Sequence, residues 1–209
     1  MTITEWLAAL KPNTISVPEF RDEVREYLEI AVLSLVLREE AKSARLLELV
    51  HRAVPYPVLL IVMQDRSLSL SLAHKRWSQS ESDKVVVDGA IVEVPLESRD
   101  PIPAIEMQFM QALALDCQPR TTLYDLYQGW IDTVYALQAA RLTGTFSVAA
   151  TPGQAVTRRL ALQECRSLNG EALRLQGLAI KEKQLAKLVD LNLEFKRVQA
   201  ELTAAKERL

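Results

Sequence analysis

The C-terminal end of the chain carries an apolar stripe that must be covered by something. Apolar residues recur there at alternating steps of three and four, the spacing of the a and d positions of a coiled coil. The stripe consists of Leu188, Leu191, Phe195, Val198, Leu202, Ala205 and Leu209. Packing within the chain and pairing with a second copy or another helical protein are both open. Because no helix follows the stripe, we expect pairing between chains, with all of these residues except Ala205 forming the interface.

Two neighbouring segments predict a β-hairpin in the first half of the chain. Residues 58–63 (VLLIVM) are continuously apolar, as in a buried core strand. Residues 68–74 (LSLSLAH) alternate leucine with small polar residues, as in a strand with one solvent-exposed face. Residues 29–37 (EIAVLSLVL) fit either a helix or a strand. We favour a strand, because both alternating sets of side chains are apolar, as a strand covered on two faces requires.

The remaining segments complete an α+β assignment. Residues 85–87 and 90–94 predict a second hairpin around Asp88-Gly89, a pair suited to a tight turn. Helices are predicted over residues 2–10, 38–54, 104–115 and 122–141, one or two helical turns over 18–24, and a linker over 142–154. We therefore expect a small, mainly antiparallel sheet with flanking helices in residues 1–100. A helical region would follow in 101–150 and a long coiled-coil-like helix in 151–209.

Charge and cysteine usage limit the classes of function. The 209 residues have a net charge of −2, but residues 156–209 carry eleven Lys or Arg against seven Asp or Glu. This basic tail could meet nucleic acid, although a solvated helix face explains it equally well. Two cysteines, Cys117 and Cys165, are too few for a disulfide framework and fit a reducing compartment, so we expect a cytoplasmic protein. We expect neither a signal peptide nor a membrane segment, because no apolar run approaches the ~20 residues of a bilayer span.

The sequence contains one weak enzyme-like arrangement. No Gly-rich phosphate loop, zinc-ligand cluster or nucleophile elbow is present, so no metal and no cofactor is expected, and His51 and His74 fit structural or surface roles. Restriction-class nucleases place an acid near one strand and an acid-x-Lys on its hairpin partner. Asp65 and Lys75 occupy comparable positions, but Ala73 stands where the second acid is required. A nuclease using Asp65 and Lys75 is therefore the alternative hypothesis.

Several basic residues are candidates for nucleic-acid binding. Lys75 and Arg76 are followed by Trp77, a combination that could touch a phosphate backbone and one base face, or simply end a strand. On the tail, Arg159, Arg166, Arg174 and Lys181 recur every seven or eight residues and could track phosphates or face solvent. The candidate nucleic-acid-binding residues are Lys75, Arg76, Arg159 and Arg166. The aromatics Tyr124, Tyr127, Trp130 and Tyr135 lie at helical spacing, which favours a core role over base stacking.

Segments along nearly the whole chain resemble a known bacterial family. They are LKPNTISV (10–17), EIAVLSLVLR (29–38), VPYPVLLIV (54–62), LSLAHKR (70–76), LYDLYQGW (123–130) and KEKQLAKLVDLN (181–192). In their order and spacing they are similar to the family called domain of unknown function 4391. The resemblance implies gene neighbours such as helicases and DNA methyltransferases in restriction-like or phage-defence clusters, and it carries no catalytic residue onto this chain.

Together these observations predict a non-enzymatic accessory subunit of a DNA-processing or defence complex. We expect the body to recognise DNA or a partner such as a helicase or a methyltransferase, and the C-terminal helix to form a homodimer or to bind a helical protein. The nuclease-like enzyme and a structural homodimer without a nucleic-acid role are the alternatives.

Overall fold

A five-stranded mixed sheet with helices on both faces occupies the first part of the chain, and a helical hairpin forms its C-terminal part. The computed structural model describes residues 3–81, 84–96 and 101–209. Its strands are β1 (Ile3–Leu10), β2 (Phe20–Arg21), β3 (Glu26–Tyr27), β4 (Ile30–Leu37), β5 (Val58–Gln64), β6 (Ser67–Trp77) and β7 (Val85–Leu96). Its helices are α1 (Pro12–Ile15), α2 (Ser43–Ala53), α3 (Ala104–Ala112), α4 (Leu123–Thr143), α5 (Pro152–Lys181) and α6 (Leu185–Lys206). The predicted α+β class is confirmed.

The sheet has the strand order β1-β4-β5-β6-β7, and β2 and β3 form a separate small ladder. β4 and β5 run parallel, connected through α2, and the other neighbouring strands are antiparallel. The strand predicted for residues 29–37 and the β5–β6 hairpin are both confirmed. Asp65 lies in the tight turn of that hairpin with a φ of 53°.

Helices α2 and α4 cover opposite faces of the sheet. Leu47 of α2 packs in one apolar cluster with buried residues of β4 and β5. Consecutive residues of a strand point to opposite faces, and on β6 the side chain of Lys75 bonds to α2 whereas that of His74 bonds to Gln128 of α4. Both sets of side chains on the central strands are therefore buried, which explains why residues 29–37 read as a continuous apolar run.

The prediction of a helix over residues 2–10 is wrong. The described part of this segment is the edge strand β1, paired antiparallel with β4. Its apolar residues Trp6 and Leu7 are 51% and 48% exposed, so the apparent amphipathic helix has no buried face. Without β1, the backbone N–H and C=O groups along one edge of β4 would have no partners. The hydrogen bonds that β1 makes to this edge outweigh the preference for a helix that its side-chain pattern suggests. The turns of helix predicted for residues 18–24 are likewise replaced by β2, which pairs with β3.

The second predicted hairpin is wrong as well. β7 is one continuous strand along β6, and Asp88-Gly89 lies inside it. The register passes from Leu72 opposite Val92 to His74 opposite Asp88, so β7 has extra residues at this point. Gly89, with a φ of 78°, supplies the backbone conformation that the bulge requires. A turn-forming dipeptide thus marks an irregularity in a strand and not its end.

The helices predicted in the middle of the chain are confirmed with shifted ends. The helix expected from residue 38 begins later, at Ser43. α3 and α4 occupy the two later segments, and the hydroxyl of Thr122 accepts a hydrogen bond from the amide of Asp125 at 3.2 Å, capping α4. No helix in the described part of the chain has both the length and the hydrophobicity to cross a bilayer.

The C-terminal region consists of two helices and not one. By its contacts the chain divides into a unit of residues 1–134 and a unit of residues 135–209, and the second unit contains α5 and α6. The loop of residues 182–184 reverses the chain, so that Arg208 after α6 bonds to Glu164 of α5 at 2.7 Å. The two helices are therefore antiparallel neighbours, a helical hairpin.

Candidate functional site

Lys75 is a buried cation at the end of a helix. Its side chain leaves β6 and is 2% exposed, and its ammonium donates hydrogen bonds to the carbonyl oxygens of His51 and Val54, the latter at 2.8 Å. These carbonyls belong to the C-terminal turn of α2, where the helix dipole favours a positive charge. Burial lowers the pKa of Lys75 to about 8, so the amine is mostly protonated at neutral pH.

His51 lies beside this lysine and is neutral. Its ring is fully buried, and its Nε2 is 2.9 Å from the hydroxyl of Ser71 on β6. Burial, and secondarily the charge of Lys75, lowers the pKa of His51 to about 4. Among the residues that the structure describes, Nδ1 of His51 has no hydrogen-bond partner. Lys75 therefore remains the only charged group of this buried trio.

A pocket of about 210 Å³ opens at the same end of β6. It forms where the last residues of β6 meet β3 and the segment that leads from α2 into β5. The residues that line it are Glu26, Leu28, Pro55, Tyr56, Lys75, Arg76, Trp77 and Val85. The predicted trio Lys75, Arg76 and Trp77 therefore lies around one cavity. Sequence reasoning missed Glu26 and Tyr56, although a tyrosine between two prolines at the end of a helix is a signal for an exposed aromatic.

Ion pairs partly neutralise the mouth of this pocket. Glu26 pairs with Arg21 at 2.7 Å. Asp88 accepts two hydrogen bonds from Arg25, at 2.7 and 3.0 Å, and lies 3.5 Å from the guanidinium of Arg76. The single carboxylate of Asp88 thus pairs with the guanidinium groups of both Arg25 and Arg76, so one positive charge of this group is not neutralised.

The other face of β6 carries a chain of polar contacts that holds α4 on the sheet. Burial raises the pKa of Tyr27, so its hydroxyl stays protonated and donates to Nδ1 of His74 at 2.5 Å. With Nδ1 as the acceptor, the ring proton of His74 is assigned to Nε2. That nitrogen then donates to the side-chain oxygen of Gln128 at 2.9 Å. The amide of Gln128 in turn donates to Asp132 at 2.9 Å. Each member orients the next, which fits a structural role for His74.

The aromatic residues of α4 belong to the fold. Tyr127 is fully buried and Trp130 is 4% exposed. Tyr124 stacks on His74 with ring centroids 5.2 Å apart and on Phe20 at 4.9 Å. Tyr124 therefore stacks on two protein rings, and its own ring is not free to stack on a nucleic-acid base.

The structure does not bring Asp65 and Lys75 together. Asp65 lies in the β5–β6 turn, and Lys75 lies at the far end of β6, eight residues beyond Ser67. At about 3.3 Å per residue, the stretch of strand from Ser67 to Lys75 alone is roughly 26 Å long. Within residues 3–81, 84–96 and 101–209, no group of three or more His, Cys, Asp or Glu side chains is placed to hold a metal ion. The geometry gives the nuclease hypothesis no support.

The candidate nucleic-acid-binding residues fall into two separate groups. Lys75 and Arg76 belong to the first unit, and the burial of Lys75 keeps it from lying along a DNA backbone. Arg159 and Arg166 lie seven residues apart on α5 and therefore on one side of that helix. Arg166 donates to the side chain of Gln138 at 2.6 Å and remains exposed, whereas Arg174 is held by Glu171 through two hydrogen bonds.

The predicted interface stripe is covered within the chain. Ala172 and Leu175 of α5 form a cluster with Val198 of α6, and Leu191 and Phe195 pack against it. The expectation that these residues pair between chains is corrected accordingly, because α5 is the neighbour that buries them. The remaining predicted interface residues are half-buried on the same stripe: Leu188, Leu202 and Leu209.

Covering the stripe leaves other apolar residues exposed at the tip of the hairpin. Ile180 and Leu185, on either side of the loop, are 85% and 76% exposed. Leu178 and Val189, within about one further turn, are 42% and 49% exposed. Next to them is a groove of about 410 Å³ lined by Leu178, Lys181, Glu182, Lys187, Asp190, Leu191 and Glu194.

These features define a two-unit α+β protein with a small pocket at a buried lysine and an apolar tip on a helical hairpin. The chain belongs to the family described as "Domain of unknown function (DUF4391)", whose model matches residues 3–202. The family membership indicated by the sequence motifs is thereby confirmed. No curated protein and no solved structure matches the chain.

Proposed function

We propose that the protein is a homodimeric, non-enzymatic accessory subunit of a DNA-processing complex and that it dimerises through the tip of the α5–α6 hairpin. The observation that carries the proposal is the exposure of Ile180 and Leu185 on both sides of one short loop. Leu178 and Val189, which are 42% and 49% exposed, add further exposed apolar surface within about one turn of the loop. Exposed apolar surface rimmed by polar residues commonly marks an interaction site.

The charges beside the tip favour a second copy of the chain as the occupant. The groove has an apolar floor of Leu178 and Leu191, and its rim carries both signs. The charged residues of the rim are Lys181, Lys187, Glu182, Asp190 and Glu194. In a two-fold dimer the same surface of both copies meets at the interface. A surface that carries both positive and negative residues can therefore form ion pairs with its copy.

The oligomeric state tests the dimer directly. Sedimentation equilibrium of the purified full chain at micromolar concentration should give twice the mass of one chain. Ile180→Glu and Leu185→Glu should give monomers, because each places a charge in the apolar contact. Leu160→Glu is the matched control: Leu160 is 61% exposed on the same helix but lies far from the tip, so this variant should remain dimeric. A monomeric wild-type protein would refute the proposal.

The proposed nucleic-acid contact is made by Arg159 and Arg166, which lie two turns apart on one side of α5. Duplex DNA binding should weaken with salt, and Arg159→Gln with Arg166→Gln should lower the slope of log K against log salt by about 2. Arg174→Gln is the control, since Glu171 already neutralises Arg174. An unchanged slope in the double variant would exclude these residues, and magnesium-dependent cleavage by the wild type would contradict the non-enzymatic role.

The wider assignment rests on the family resemblance. We propose that the dimer works in the cytoplasm beside a helicase or a DNA methyltransferase of a restriction-like or phage-defence system. Purification of the tagged chain from its native host, with the Leu185→Glu variant in parallel, tests this assignment. A helicase or methyltransferase recovered with the wild type would support it, and recovery of neither enzyme would count against it.

A further inference from the structure

The charge of Lys75 lacks the partner that a buried cation normally has. In the part of the chain that the structure describes, no carboxylate lies within ion-pair distance of its ammonium, and its contacts are the carbonyls of His51 and Val54. Lysine is almost never fully buried unless it is paired. Backbone carbonyls at a helix end offset such a charge only in part, since the helix dipole amounts to about half an elementary charge. An anion would complete the neutralisation.

The donors around the pocket are not exhausted. An ammonium group has three N–H donors, and two of those on Lys75 are used by the two carbonyls. Arg76, which also lines the pocket, shares the single carboxylate of Asp88 with Arg25. Among the described residues that line the pocket, the acidic one is Glu26, and it is paired with Arg21. The charges of Lys75, Arg76 and Glu26 in this lining sum to one positive charge.

The size and the walls of the cavity limit what can enter. Its volume of about 210 Å³ is below the range of roughly 300 Å³ and more that is typical of drug-sized ligands. The space suits one small anionic group. Tyr56, which is 39% exposed, and Trp77 add aromatic walls to the pocket. A guanidinium and an ammonium at one cavity are the groups with which proteins commonly bind phosphate oxygens.

We propose that the pocket beside Lys75 and Arg76 binds a single phosphate group, supplied either as a free phosphate or as the terminal phosphate of a nucleic-acid strand. The ammonium of Lys75 provides its remaining N–H donor and Arg76 provides the guanidinium. The pocket lies in the first unit, so the proposal is independent of the dimer formed by the hairpin tip.

An NMR titration of the 15N-labelled full chain tests the site. Inorganic phosphate, added at constant ionic strength with chloride, should shift the amides of the pocket-lining residues with a millimolar dissociation constant. Arg76→Gln should weaken binding about tenfold, equal to 1.4 kcal/mol. Arg66→Gln is the matched control, because it removes the same charge from the exposed turn at the opposite end of β6. Lys75→Met should abolish binding, provided that its spectrum remains that of a folded chain.

A second arm separates the two sources of phosphate. A short oligonucleotide with a 5′-phosphate and the same oligonucleotide with a 5′-hydroxyl are titrated in parallel. Stronger binding of the phosphorylated strand than of inorganic phosphate identifies a strand end as the source, and equal binding identifies the free anion. The proposal is overturned if neither phosphate source shifts the pocket amides, or if Arg76→Gln and Arg66→Gln weaken binding equally.

Discussion

The hydroxyl group of Tyr127 on α4 makes hydrogen bonds to two strands of the sheet, and its removal should destabilise the first unit. It donates to the carbonyl of Val58 on β5 at 2.7 Å and accepts the amide of Ala73 on β6 at 2.9 Å. Tyr127→Phe keeps the ring and deletes only this group. Because the site is fully buried, the amide and the carbonyl lose their partner where water cannot replace it.

The magnitude follows from the two groups left without a partner. Each buried and unsatisfied polar group costs about 1–3 kcal/mol, so the loss of partners for two groups should lower the unfolding free energy by about 2–6 kcal/mol. With a urea dependence of about 2 kcal/mol per molar, the midpoint should move down by roughly 1–3 M. The three tryptophans, Trp6, Trp77 and Trp130, all lie in the unit of residues 1–134, so their fluorescence follows that unit.

A control with the same chemical change isolates the effect. Tyr56→Phe also removes one hydroxyl, but from a ring that is 39% exposed, and it should leave the urea midpoint unchanged. If Tyr127→Phe lost less than about 0.5 kcal/mol, the inference that this hydroxyl satisfies two buried backbone groups would be refuted.

Three further measurements test other parts of the structure. Val198→Ala should lower the stability of the hairpin by about 2 kcal/mol in a thermal melt followed by circular dichroism, whereas Leu193→Ala on the exposed side should not. Lys75 has a pKa of about 8 when folded and 10.5 when unfolded, so the unfolded chain binds more protons in that interval. Stability in urea should therefore rise above pH 8, by at most about 3 kcal/mol, and Lys75→Met should flatten the rise. His51 has a folded pKa of about 4 against 6.5, so stability should fall by up to about 3 kcal/mol as the pH drops through that window, and His51→Gln should remove this loss.

The fold could be predicted wherever the side-chain pattern reports burial directly. Residues 29–37 are apolar on both faces, and β4 is indeed covered on both sides. The same reasoning fails for β1, since its two exposed apolar residues, Trp6 and Leu7, imitate one face of a helix. An edge strand is held by backbone hydrogen bonds to its neighbour, and these leave no trace in the side-chain pattern.

The pocket could be predicted only in part. Lys75, Arg76 and Trp77 stand next to one another in the sequence, so their association with one site needs no knowledge of the fold. The burial of Lys75 could not be predicted, because it depends on the carbonyls at the end of α2, more than twenty residues earlier in the chain. Tyr56 and Glu26 reach the pocket through the β4–α2–β5 crossover and the β2–β3 ladder, neither of which the sequence pattern specifies.

The stripe on α6 indicates that the helix must be covered but not which helix covers it. A second set of apolar residues at similar spacing, including Leu168, Ala172 and Leu175, precedes it on α5, and the loop of residues 182–184 is short enough to fold one onto the other. A connection that short closes at little entropic cost, whereas pairing with another chain must also offset the loss of free translation and rotation. The apolar stripe of α6 is therefore covered by α5 of the same chain. The proposed dimer contact therefore uses residues that lie off the stripe, and Ile180 and Leu185 are the large apolar side chains that this packing leaves most exposed.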